Sequence, residues 1–224
     1  MATNRSNEQQ QPAKTADVQL ARIASEGCVR HPHVSALLDA TGPHSARDFA
    51  DAVHQLCALH GRYPGLIELA LERCPKGAAS TWLARAAESF ERERLYLVRL
   101  TAAVGPIPST PGAAETESCL LSARHALETL ATSERNGCAL GAATALIGDW
   151  WPVRRLLDRA ATRAGIEAPA PSLPDERSVI AIIDSAAENH AAARALSFGA
   201  EQLLLQHRAL FDLLEARAEA RGDF

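Results

Sequence analysis

The run from Asn136 to Gly148 carries no charged residue and holds Gly137, Gly141 and Gly148, spaced by four and then seven residues. Steps of four and seven return to one face of an α-helix. Glycine inside a helix costs about 1 kcal/mol relative to alanine. Accepting that cost repeatedly on one stripe means that something comes close, either the backbone of a neighbouring helix or a bound ligand. The run lies between Arg135 and Asp149 and is too short to span a bilayer, which fits a buried core helix. The spacing predicts one central helix within Glu117 to Gly165, its inner seam formed by Leu120, Ala123, Leu127, Leu130, Glu134, Gly137, Gly141, Thr144, Gly148 and Trp151. Pro152 then either kinks this helix or starts a new segment that ends at Gly165.

The flanking sequence is helical throughout. Residues 1–15 are polar and Gln-rich and are expected to be disordered. Ser45 with Asp48 forms a capping-box-like start for a helix carrying Phe49, Val53, Leu56 and His60 on one stripe. A shorter helix follows, stopped by Pro75 and Gly77. The next seam runs Leu83, Ala86, Phe90, Glu93, Leu97, Leu100, Val104, and the segment Gly105–Gly112, with three prolines, ends it. After a Pro/Ala-rich connector comes a final seam of Val179, Ile183, Ala186, His190, Ala193, Ser197, Ala200, Leu204, His207, Phe211 and Leu214, in one long helix or in two broken near Ser197–Gly199. No strand alternation competes. The expectation is an all-α, single-domain bundle of seven or eight helices over residues 16–217, with residues 218–224 frayed.

Composition narrows the function classes. Hydrophobic residues at 47% and a length of 224 residues suffice for a real core. A net charge of −4 argues against nucleic acid or an anionic membrane as a general partner. The five cysteines include no Cys-x-x-Cys pair, which argues against a disulfide framework and a cysteine-rich zinc site. The N-terminal residues lack an apolar signal region, so the cytoplasm is the expected compartment. Arginine far outnumbers lysine, present only as Lys14 and Lys76, in keeping with a GC-rich bacterial genome.

Five ionisable side chains fall on positions that periodicity assigns to the core: His60, Glu93, Glu134, His190 and His207. Buried charge must pair, shift its pKa or bind a metal, and inward carboxylates and imidazoles are how bundles build non-haem metal sites. The expected ligand pocket is therefore lined by Glu93, Glu134, Gly137, Gly141, His190 and His207. Glu93, Glu134, His190 and His207 are the metal candidates, with His60 as an addition and non-haem Fe or Mn ahead of haem. The Glu-x-x-His pair of di-iron bundles is absent, and Glu93 has Arg94 and Arg99 as ordinary partners. Weaker candidates are the His31-Pro32-His33 loop as a surface metal site, Asp51 with His54, and Cys57 with His60. Of Trp150 and Trp151, one is expected to be buried and the other partly exposed.

In the order and length of its helices over residues 45–215, and in Gly137, Gly141 and Gly148, the chain resembles the haem-oxygenase-like helical superfamily, with its thiaminase-like and pyrroloquinoline-quinone-synthesis-like members. It looks equally similar to uncharacterised all-helical bacterial families. The first resemblance implies an internal pocket with a glycine-containing helix against the ligand, and an early-helix histidine, His54 or His60, at the iron-binding position. The resulting expectation is a bundle with an internal polar pocket for a small molecule, extending to metal-dependent oxidation. The alternative is a non-catalytic interaction or regulatory bundle, homodimeric through the Gly137/Gly141/Gly148 face.

Overall fold

A computed structural model describes residues 14–222 apart from Pro43. Most of the expected disordered N-terminal tail, residues 1–13, lies outside the described residues. The elements are α1 (Thr15–Glu26), a 3-10 turn (Cys28–Arg30), α2 (Pro32–Asp39), α3 (Ser45–His60), α4 (Leu66–Arg73), α5 (Ala78–Ala103), α6 (Ala113–Ala131), α7 (Cys138–Ala164), α8 (Glu176–Ala186) and α9 (His190–Arg221). Among the described residues there is no strand.

α7 is the hub. It contacts every other helix, and most extensively α9. Its inner faces are lined with alanine and aliphatic residues, and Trp150 is wholly buried near its middle. Trp151 stays partly exposed, as expected. Small side chains allow the closest crossing: a Cβ on Gly141 would overlap the Leu196 carbonyl of α9, and one on Gly199 would overlap the Cys138 carbonyl of α7. One turn of glycine on each helix thus lets two backbones touch. Gly148 faces α1 instead, where an added Cβ would stand 2.8 Å from Ile23 Cδ1. The face read as a ligand wall or a dimer surface is therefore covered within the chain. Both readings of Gly137, Gly141 and Gly148 give way to intramolecular packing.

Two predicted helices are broken where local capping outcompetes the longer register. The central helix stops at Ala131 and restarts at Cys138, with Gly137 at φ +97° as the N-cap. That left-handed conformation suits glycine. Glu134 falls in the link and is exposed, rather than lying on a buried seam. The C-terminal region breaks at Ala187–Asn189 and not at Ser197–Gly199, because the Asn189 side chain accepts the Ala191 and Ala192 N–H groups, both at 3.0 Å. His190 becomes the first, exposed residue of α9. Pro152, by contrast, is accommodated inside a continuous α7.

Where fraying is expected, α9 runs on to Arg221 with a left-handed Gly222 cap. Its end is held from the side. Arg217 forks onto Asp51 of α3, donating to Oδ1 and Oδ2 at 2.9–3.1 Å, and also reaches Thr116 at 2.9 Å. Arg221 adds Asp48 at 2.7 Å and Asp51 at 2.5 Å.

Candidate functional site

The interior holds a polar network assembled from α3, α5, α7 and α9. His60 closes α3, Glu93 lies mid-way along α5, Asp149, Trp150 and Arg154 follow along α7, and His207 sits within α9. All six are buried.

Asp149 anchors one limb. Its Oδ1 accepts the backbone N–H of Cys28 at 2.8 Å, and its Oδ2 lies 2.7 Å from His207 Nδ1. Gly27 permits this approach, since a Cβ there would run into Asp149 Oδ1. His207 Nε2 in turn lies 3.1 Å from His60 Nε2. Protons on these rings follow from the partners. With Asp149 ionised, His207 Nδ1 carries a proton and donates it, which leaves Nε2 as an acceptor. His60 must then donate from Nε2 and keep its lone pair on Nδ1. Burial, followed by the facing His207 and by Arg94, holds the His60 imidazole well below its ordinary pKa, so it is neutral at neutral pH. Cys28, against the same carboxylate, is pushed well up by burial and by Asp149, and remains a thiol.

The second limb begins at Trp150, whose indole packs edge-on against His60 with centroids 5.3 Å apart at 83°. Trp150 Nε1 donates to Glu93 Oε2 at 3.1 Å, and Arg154 Nη1 donates to Glu93 Oε1 at 2.7 Å. Arg154 also donates to Asp158 at 2.7 Å and to the Pro169 carbonyl, and its guanidinium lies 4.7 Å from the Tyr96 ring centroid. Burial raises the Glu93 carboxyl despite the hydrogen bonds from Trp150 and Arg154. Each Glu93 oxygen has its donor, so this group locks α5 to α7.

The two limbs differ in where they end. The Asp149–His207–His60 limb ends at a cleft between α3, α4, α5 and α6, with a cavity of about 40 Å³ lined by His60, Arg62, Phe90, Arg124, Leu127 and Glu128, among others. His60 Nδ1 has no hydrogen bond among the described residues. A neutral ring with a free lone pair, backed by a second imidazole and a carboxylate, can accept a proton and spread the charge towards Asp149.

A second constellation lies at the outer face of α9. One donor atom each of His31, Asp212 and Glu215 falls within 4.8 Å of the others, making a potential non-haem metal-ligand cluster. His31 is buried, Asp212 exposed and Glu215 intermediate. His31 Nε2 lies 2.9 Å from Asp212 Oδ1, while its Nδ1 accepts the His33 backbone N–H at 3.2 Å as the N-cap of α2. That cap places the ring proton on Nε2. A metal ion at Nε2 would require the imidazole to give up either the cap or the proton.

The sequence-predicted residues are therefore divided. Glu93, His207 and His60 join one network. Glu134 is exposed in the link before α7, and His190 lines an open surface groove of about 970 Å³ with Arg135, Asn136 and Phe198. An internal pocket walled by Glu93, Glu134, His190 and His207 together is not what the chain builds. Gly137 and Gly141 pack on α9. His60 turns its Nε2 to His207 rather than to Cys57, Asp51 pairs with arginines of α9 rather than with His54, and His54 Nε2 lies 2.8 Å from the Gly105 carbonyl oxygen. His31 and His33, weighed in the sequence as a surface metal site, are both buried. Periodicity did not mark Asp149, Trp150 and Arg154 as a site. The available signal was the helical phase of Leu146, Val153, Leu156 and Ala160, which turns Asp149 inward.

Among the described residues, fold and site together define an all-α, single-domain bundle of nine helices with a buried histidine–carboxylate network at its centre. The chain belongs to a family of unknown function (DUF6975), whose model matches residues 23–222. No curated protein and no solved structure matches it, and nothing in these comparisons ties it to the haem-oxygenase-like superfamily. No helix among the described residues is long and apolar enough to cross a membrane.

Proposed function

We propose that this protein binds a small molecule at the cleft beside His60 and exchanges a proton with it through Asp149, His207 and His60. The observation that carries this reading is the hydrogen-bonded line from Asp149 to His207 at 2.7 Å and on to His60 at 3.1 Å, ending at a cavity. A purely structural network would end on a satisfied partner, as the Glu93 limb does. This one ends on a neutral imidazole whose Nδ1 has no hydrogen bond among the described residues, in a residue that lines a cleft. His60 is the group that meets the ligand. His207 and Asp149 are positioning residues that fix its tautomer and stabilise the charge it acquires.

The test combines ring-nitrogen NMR with ligand screening. In ¹⁵N-histidine spectra at pH 7, His60 is expected to be neutral with its proton on Nε2. A panel of small metabolites screened by thermal shift should yield compounds that stabilise the native protein and lose that effect in His60→Gln. A cationic His60, or compounds stabilising His60→Gln equally, would overturn the reading.

A second reading, metal binding at the His31, Asp212 and Glu215 cluster, is favoured by one observation: two carboxylates and an imidazole reach a common point. Fe(II) or Mn(II) is the ion such ligands suit. Metal analysis of protein purified without an affinity tag tests it. Near-stoichiometric metal that disappears in Asp212→Asn supports it, and metal-free protein that takes up neither ion on dialysis rejects it.

A further inference from the structure

The cleft beside His60 has a second feature that points to the chemistry of its ligand. Arg124 of α6 lines the same cavity, and its Nε is shielded from solvent without a hydrogen-bond partner. Arg94 and Arg159 also have an unpartnered buried Nε, but each places other guanidinium nitrogens on acceptors: Arg94 on Glu68 and Glu91, Arg159 on the Ala40 carbonyl. Arg124 has neither a hydrogen bond nor an ion pair among the described residues. Glu128, one turn along α6, lines the cavity as well but is exposed and forms no salt bridge with it. Only the Nε of this half-buried side chain is shielded; the rest of its planar fork is left for an acceptor, and that fork matches a carboxylate or phosphate.

We propose that the ligand of the His60 cleft is a small anionic compound whose carboxylate or phosphate sits on Arg124 while a protic group faces His60 Nδ1. This rests on the acid–base reading of His60 given above. A cavity of about 40 Å³ has room for only two or three waters or one such head group, so the rest of the molecule leaves through the mouth past exposed Arg62. The anion and the neutral imidazole then divide recognition: Arg124 holds charge, and His60 reads a proton.

The probes are sodium acetate, inorganic phosphate and, as the neutral control, acetamide, titrated into the full-length protein while the His60 and His207 ring nitrogens are followed by NMR. Acetate or phosphate should shift the His60 resonances saturably, with acetamide inert. Arg124→Gln should weaken that binding at least tenfold, and Arg124→Lys should restore part of it. The His60–His207 resonances of the free variant should remain as in the native protein. If neither anion moves His60, or if Arg124→Gln binds as well as the native chain, the anion site is wrong. Arg124-dependent binding alongside a cationic His60 in the free protein would keep the anion site and reject the acid–base reading.

Discussion

His207 Nδ1 lies 2.7 Å from Asp149 Oδ2, and the other oxygen of the same carboxylate holds the Cys28 N–H at 2.8 Å. One carboxylate therefore ties the turn after α1 to the crossing of α7 and α9 while it sets the tautomer of an imidazole. Asn at 149 has the same shape but a single acceptor. It can serve Cys28 or His207 but not both, and its amide would point a donor at a donor. Asp149→Asn should lower stability by about 2–4 kcal/mol, as expected when a buried, charge-assisted contact loses one partner. Urea denaturation measures this. The ¹⁵N spectrum should at the same time show the His207 proton moved to Nε2. A stability within about 0.5 kcal/mol of the native value would mean that the pair is not formed.

Glycine positions along α7 should respond differently to the same substitution. By propensity alone each Gly→Ala would gain about 1 kcal/mol. At Gly141 the new methyl meets the Leu196 carbonyl, a backbone atom of α9, so the helices must separate. Gly141→Ala should therefore destabilise by about 2 kcal/mol or more, the usual scale of overpacking. At Gly148 the obstacle is the end of the Ile23 side chain at 2.8 Å, which can rotate away. Gly148→Ala should stay within about 1 kcal/mol of native stability in either direction. Thermal or urea unfolding of the two variants side by side decides the matter, and equal effects would contradict the crossing geometry.

The fold class was legible because each helix repeats its apolar residues with the right period, and Glu93 and His207 were legible as polar residues inside those seams. Glu134 and His190 were misread for a shared reason. A seam drawn across a helix break stays in phase by coincidence, and the break depends on one residue's backbone or cap, Gly137 at φ +97° and Asn189 through its side chain. Asp149 was passed over as the charged flank of an apolar run, although its own helical phase turns it inward. Arg154 and Asp149 acquire meaning only through partners far along the chain, His207 at a separation of 58 residues and Glu93 at 61, which periodicity cannot supply.

The end of α9 should depend on Arg217. Its guanidinium satisfies Asp51, which is wholly buried, together with Thr116. Arg217→Met leaves that carboxylate with Gln55 and Arg221 alone, and breaking a buried pair from one side costs about 3–5 kcal/mol. The loss should fall near the lower figure, because Arg221 remains. Amide exchange should accelerate over the last two turns of α9 and the first turns of α3 before it does so in α7. Adding Asp51→Leu to Arg217→Met should recover part of the loss, since the orphaned charge is then gone.

Acid should unfold this protein earlier than its modest net charge suggests. Burial, followed by the positive influence of His31 and Arg221, lowers the His33 imidazole from 6.5 to about 4, with Asp51 opposing. A histidine with a depressed pKa binds its proton more readily in the unfolded chain. Its effect is absent above about pH 6.5 and becomes a loss of stability as pH falls from there to about 4, reaching about 3 kcal/mol for this shift. His60 acts in the same direction. Asp51 adds to it at lower pH: burial alone would raise its carboxyl, but the bonds from Arg217, Gln55 and Arg221 hold it below the ordinary value, so its contribution is lost as that carboxylate protonates. Glu93, raised by burial, has the opposite sign and gives back some stability as pH falls through its elevated value. Urea midpoints at pH 7.5, 6, 5 and 4 should therefore decline steeply below pH 6.5. In His33→Gln the decline should be shallower by most of the His33 share. A slope unchanged in that variant would show that His33 titrates in the folded protein as it does in the unfolded chain.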